Sequence, residues 1–216
     1  MGKQESLVRE ELRTPRSAAI AGMIFGVLLI TSQSLVWISI PVNSAAKDVI
    51  SHSRAVSLAV NLLPFAGIAF LWFIAVVRNR LGALEDRFFA TIFIGSGLIY
   101  IAMIFTAAAL AGGLIRVLLN APETLMRTGA YAVGRAEVYQ TMNVYGSKMA
   151  GVFMFSTSTI LLRTLIAPRW IAFVGYALGT ILLLSIGITL WVSLVFPLWV
   201  FLVSAAILLE DPSRAK

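Results

Sequence analysis

Lys148 and Arg163 flank fourteen uncharged residues, and the polar run Ser156, Thr157, Ser158 and Thr159 lies between them. A cation buried inside a membrane-spanning helix would be a working group, able to bind a ligand or relay a proton. A lysine at a helix mouth is an anchor instead, reaching the headgroups along its apolar stem. Fifteen residues of helix separate the two charges by about 22 Å, close to the two ends of one span. The spacing therefore predicts that both charges mark helix ends and that Lys148→Gln is nearly silent. Ser156 and Thr159 are candidates for a polar interior, although each could simply bond a carbonyl one turn back.

The other reactive side chains assemble no chemistry. All ten acidic residues fall in predicted loops or at span ends, and only Glu85–Asp86 forms an adjacent pair, with arginines close by. The single histidine, His52, sits between serines in a predicted outer loop, and there is no cysteine. No thiolate or imidazole metal site follows from that set. No phosphate-binding glycine loop, dinucleotide fingerprint or nucleophile elbow is present. The expectation is a non-enzymatic protein with no metal or cofactor.

The elements that carry these residues are set by their solvent. The 216 residues are 59% apolar and only 12% charged, with a mean hydropathy of +0.91. That is too little charge to cover a water-facing surface, so the first partner is the lipid bilayer. The net charge of +7 comes from basic residues scattered between apolar blocks. It forms no stripe that would point to nucleic acid.

A bilayer core of about 30 Å needs about 20 apolar residues in helix. That ruler predicts an all-α bundle of about six spans: 17–41, 55–77, 88–115, 149–166, 170–187 and 191–209. Residues 1–16 read as a cytoplasmic leader, 17–209 as one transmembrane domain, 120–146 as a long outer loop and 210–216 as a cytoplasmic tail. The first span is too long for a signal-peptide core and reads as retained. The last two are read as a hairpin turning at Gly187, Ile188 and Thr189; one long tilted helix, making five spans, is the alternative. With the N-terminus inside, eleven of the seventeen Lys and Arg lie in inner segments and six in outer ones. Excess basic charge stays in the cytoplasm, which favours both termini inside.

Packing signals are abundant. Gly22-x-x-x-Gly26 and Gly175-x-x-x-Gly179 are small-residue contacts at which helix backbones approach closely, within one bundle or between two copies. Leu29, in the same span as Gly22 and Gly26, reads as lipid-facing. Pro64 and Pro197 could kink their helices and free carbonyls, so Asn61 and Gln33 join Ser156 and Thr159 as candidate interior polar groups. The outer loop carries Pro122 and Glu123 at a helix start. It also spaces Leu125, Tyr131, Val138 and Met142 as one face. It reads as an interfacial helix on the membrane, with a lid or a docking surface as its functional alternative.

Three stretches, RTPRSAAIAGMIFGVLL, LLRTLIAPRWIAFVGYALG and FPLWVFLVSAAILLED, resemble segments of bacterial multi-span membrane proteins grouped as domains of unknown function. Arg163 followed by Pro168-Arg169 matches the way a span often ends in those proteins. The similarity covers about a third of the chain. It implies a bacterial cytoplasmic membrane and six or so helices, and it transfers no site residue. Two functions stay open: an accessory or scaffold subunit bound to other membrane subunits, or a carrier or channel for a neutral or lipid-like solute.

Overall fold

The computed structural model describes residues 19–36, 50–81, 87–164, 168–185 and 190–209. The leader, the Glu85–Asp86 pair, the turn at 187–189 and the tail lie outside the described residues. Among the described residues there is helix and no strand. The helices are α1 (Ala19–Val36), α2 (Ser53–Leu81), α3 (Arg87–Asn120), α4 (Pro122–Arg127), α5 (Ala130–Tyr139), a π-helical segment (Gln140–Gly146), α6 (Ser147–Thr164), α7 (Arg169–Leu184) and α8 (Leu190–Leu209). Four of these, α1, α2, α3 and α8, are long and apolar enough to cross a membrane. The predicted fourth and fifth spans fall short of that standard for separate reasons. In α6 the charges of Lys148 and Arg163, with the hydroxyl run between them, lower the mean hydropathy, and α7 has only 16 residues.

Successive long helices run antiparallel. Ser32 of α1 lies on Ala59 of α2, and a Cβ on Gly97 of α3 would meet Ile74 of α2. Phe93 of α3 stacks on Phe153 of α6. Trp199 Nε1 of α8 donates to the Ile171 carbonyl at the start of α7, 3.4 Å away. That last contact folds 169–209 into two helices side by side rather than one long one. Gly22 and Gly26 of α1 then close against α8.

At the centre is an aromatic hub. Phe70 is fully buried and touches Phe25 at 4.4 Å, Phe153 at 5.0 Å, Phe196 at 5.6 Å, Tyr100 at 5.7 Å and Phe73 at 6.1 Å between ring centroids. Five helices thus meet on one side chain. Lipid is as apolar as this core, so what holds it is van der Waals contact, and a hole cannot be repaired by collapse. Phe70→Ala is expected to cost about 3–5 kcal/mol. Trp72→Ala, two residues away and 67% exposed, is expected to stay within about 0.5 kcal/mol. Melting in detergent compares the two.

Leu29 does not face lipid: it is 0% exposed and sits in the same core. The glycines around it draw α8 close, so the face they share with Leu29 points inward.

The segment 120–146, expected to carry an interfacial helix, is helical and folds back on the end of α3 as a hairpin. At 34 residues α3 is about 50 Å long, well beyond a 30 Å hydrocarbon layer. Its C-terminal part pairs with α5, where Leu114 lies against Gly134. Leu118 and Leu125, with Leu114 and Tyr131, form a small separate core at the tip. Gly129, with φ of 70°, makes the turn into α5 in a conformation that suits glycine. The apolar face expected for a membrane surface is partly used here: Leu125 is buried on α3 and Tyr131 packs beside it.

Candidate functional site

Lys148 begins the site, and its place is neither of the two expected ones. Its ammonium donates to three backbone carbonyls, Leu182 at 3.1 Å, Leu183 at 2.6 Å and Ser185 at 2.6 Å. These belong to the C-terminal turn of α7, where a helix leaves carbonyls without partners. The neighbouring acceptors are also satisfied: the Ser185 N–H donates to Ile181, and its hydroxyl donates to Leu182 at 3.1 Å. A cation at this end also faces the negative pole of the helix. Because α6 and α7 are antiparallel, the first turn of one lies beside the last turn of the other. Lys148 therefore caps its neighbour. Arg163, at the other end of α6, is exposed and lies 4.8 Å over the Phe89 ring of α3.

The hydroxyl run divides its work by face. Ser156 donates to Val152 and Phe153 at 3.1 and 3.0 Å, and Thr157 to Phe153 at 2.7 Å, all within α6. Thr159 bonds Phe155 at 3.0 Å and reaches the Tyr176 hydroxyl of α7 at 2.7 Å, with either oxygen donating. Ser158 is buried with no partner for its hydroxyl, which occupies the place a Cβ on Gly175 would take. Ser204 stands against Gly22 in the same way and is likewise unpartnered. These contacts bring the helix backbones close at the cost of two unsatisfied hydroxyls.

The four glycines named from sequence all lie against helices of this chain. A Cβ on Gly26 would come within 3.0 Å of Phe201 and 3.1 Å of the Pro197 carbonyl. One on Gly179 would come within 2.9 Å of Phe155 and 3.1 Å of the Gly151 carbonyl. Gly151, which has no partner glycine four residues away in sequence, is the reciprocal half of that approach: its Cβ would meet the Gly179 carbonyl at 3.0 Å.

Gln33 and Asn61 separate. Asn61 is not interior; it is exposed and donates to the Ser57 carbonyl of its own helix at 2.8 Å. One turn of helix offers that acceptor at no cost, and the Pro64 beside it is exposed as well. Gln33 is buried near the end of α1, with its Oε1 unpartnered. The interhelical bond expected of it is made by Ser32, which donates to the Ala59 carbonyl at 2.7 Å.

Gln33 lines a small cavity with Tyr100, Asn143, Ser147, Ser193 and apolar neighbours that include Leu182 and Phe196. Asn143 belongs to the π-helical segment, whose i→i+5 pattern is rare and often marks functional positions. The sequence places Met142 on a helix face but gives no sign of the π-helical turn or of Asn143 as an inward-facing residue. Ser147 was passed over as the neighbour of Lys148, and Tyr100 as one residue of an apolar span. The cavity contains no carboxylate, and among the described residues no cluster of His, Cys, Asp or Glu could hold a metal. The arrangement can hold a small neutral polar molecule. Comparison with protein-family models, curated proteins and solved structures gives no match.

Proposed function

We propose that this chain is a non-catalytic integral membrane protein, an accessory or scaffold subunit of a larger assembly in a bacterial cytoplasmic membrane. In this reading it has six spans and both termini in the cytoplasm, so α6 and α7 cross alongside the four longer helices. The observation that carries the reading is the hairpin of α3, α4 and α5. It continues beyond the depth one crossing requires, yet it exposes Val117, Leu119, Met126 and Val133, the last at 63%. Apolar side chains outside the hydrocarbon gain from contact with another protein. Lys148 supports the same reading, because its three donors are occupied in holding α7.

A photo-crosslinking residue at Met126 or Val133 tests it. One protein partner in stoichiometric yield is expected from both, and none from Trp72 on the lipid-facing side. Adducts with lipid alone would oppose the reading. The orientation has its own test in reporter fusions at the two termini. Both are expected inside, and an external C-terminus would mean that 170–209 crosses once. The second reading, a carrier or channel for a neutral or lipid-like solute, needs no buried charge, but the cavity at Gln33, about 10 Å³, is too small to be its binding site.

A further inference from the structure

The cavity at Gln33 lies where α1 and α7 end, α6 and α8 begin, and the π-helical segment meets the middle of α3. We propose that it is a binding site for one ordered water, held by donation to Gln33 Oε1 and by the polar side chains facing it. Gln33 is 4% exposed and its amide oxygen has no partner. A buried acceptor left in that state is destabilising, so whatever fills the cavity has to donate a hydrogen bond.

Size and charge select the donor. The free space is about 10 Å³, the volume that admits about one water molecule. Leu182 both lines the cavity and accepts from the Lys148 ammonium, so a fixed positive charge stands next to the site and opposes a cation. The orphan oxygen opposes an anion. A neutral molecule that donates and accepts remains, and with Gln33 the lining residues Asn143, Ser147 and Tyr100 can supply the two to four polar partners an internal water needs. The π-helical segment acquires a role from this. It brings Met142 and Asn143 into the lining.

X-ray footprinting of the full chain in detergent tests the site, because radicals formed from a trapped water modify the side chains that touch it. Tyr100 and Phe196 line the cavity, whereas Phe93 and Phe153 are fully buried away from it. With each rate normalised to the unfolded chain, Tyr100 and Phe196 are expected to be modified well above Phe93 and Phe153. Gln33→Leu is expected to abolish that excess. Ala150→Val, which adds bulk at another lining position, is expected to abolish it as well and serves if Gln33→Leu does not fold. Equal rates for all four rings in the wild-type protein would mean a dry cavity and overturn the proposal. An excess that survives in a folded Gln33→Leu protein would overturn it too, since the water would then not depend on Gln33.

Discussion

Lys148→Met is expected to lower stability in detergent by about 2–4 kcal/mol, with a fall in melting temperature of about 5–15 °C. The loss has one cause. Hydrogen bonds from a charged donor are worth about 1.5–3 kcal/mol each, and three carbonyls of α7 lose theirs together. Partial exposure of Lys148 lets some water return, and Leu182 keeps the Ser185 hydroxyl, so the total stays below the sum. Lys148→Arg should retain most of the stability, because a guanidinium keeps both charge and donors. Lys148→Gln should fall between, with fewer donors and no charge. The spacing of Lys148 and Arg163 alone predicts no effect for Lys148→Gln. A melt unchanged in Lys148→Met would restore the anchor reading and remove the cap.

Gly179→Leu is expected to be at least as damaging. The backbones of α6 and α7 touch at Gly151 and Gly179, each carbonyl standing about 3 Å from the place of the other's Cβ. A backbone atom cannot turn aside as a side chain can, so the helices have to part. Parting them also lifts Ser158 from Gly175 and strains the Thr159–Tyr176 bond. Overpacking typically costs about 1–3 kcal/mol, with more where the backbone blocks, and Gly179→Leu should lie at or above the top of that range. Gly151→Leu should match it. Gly113→Ala is the contrast: nothing lies within 4 Å of its Cβ, and alanine should stabilise the helix by up to about 1 kcal/mol. Melting the three variants side by side decides the point. Equal behaviour at Gly179 and Gly113 would mean that the close approach does not exist.

These two cases show how far the sequence reaches. Helix-length apolar stretches made the all-helical class plain, and α2, α6 and α8 begin and end within a few residues of the expected spans. The glycines were legible because G-x-x-x-G repeats on one helix face. Gly151 was not, since it pairs with a glycine 28 residues later and only the crossing of α6 and α7 joins them. The role of Lys148 was hidden for the same reason: its partners are carbonyls 34 to 37 residues away, and every residue has a carbonyl. Leu29 misled because a leucine reads the same against lipid and inside the core, where it is buried. The aromatic hub left no trace, as its rings come from five helices with no common spacing. In the segment 120–146 the apolar face was visible, and part of it, Leu125 and Tyr131, packs on the extended end of α3.

The central proposal, that the chain holds a partner at the hairpin of α3, α4 and α5, meets its most direct test in native mass spectrometry of the protein drawn from its own membrane in mild detergent. A single stoichiometric complex heavier than the 23.4 kDa chain is expected. Val133→Glu should dissociate it and leave a folded monomer, because a charge at that exposed position disturbs the contact and nothing inside the bundle. A monomer carrying only lipid in the wild-type protein, or a complex that survives Val133→Glu unchanged, would contradict the account.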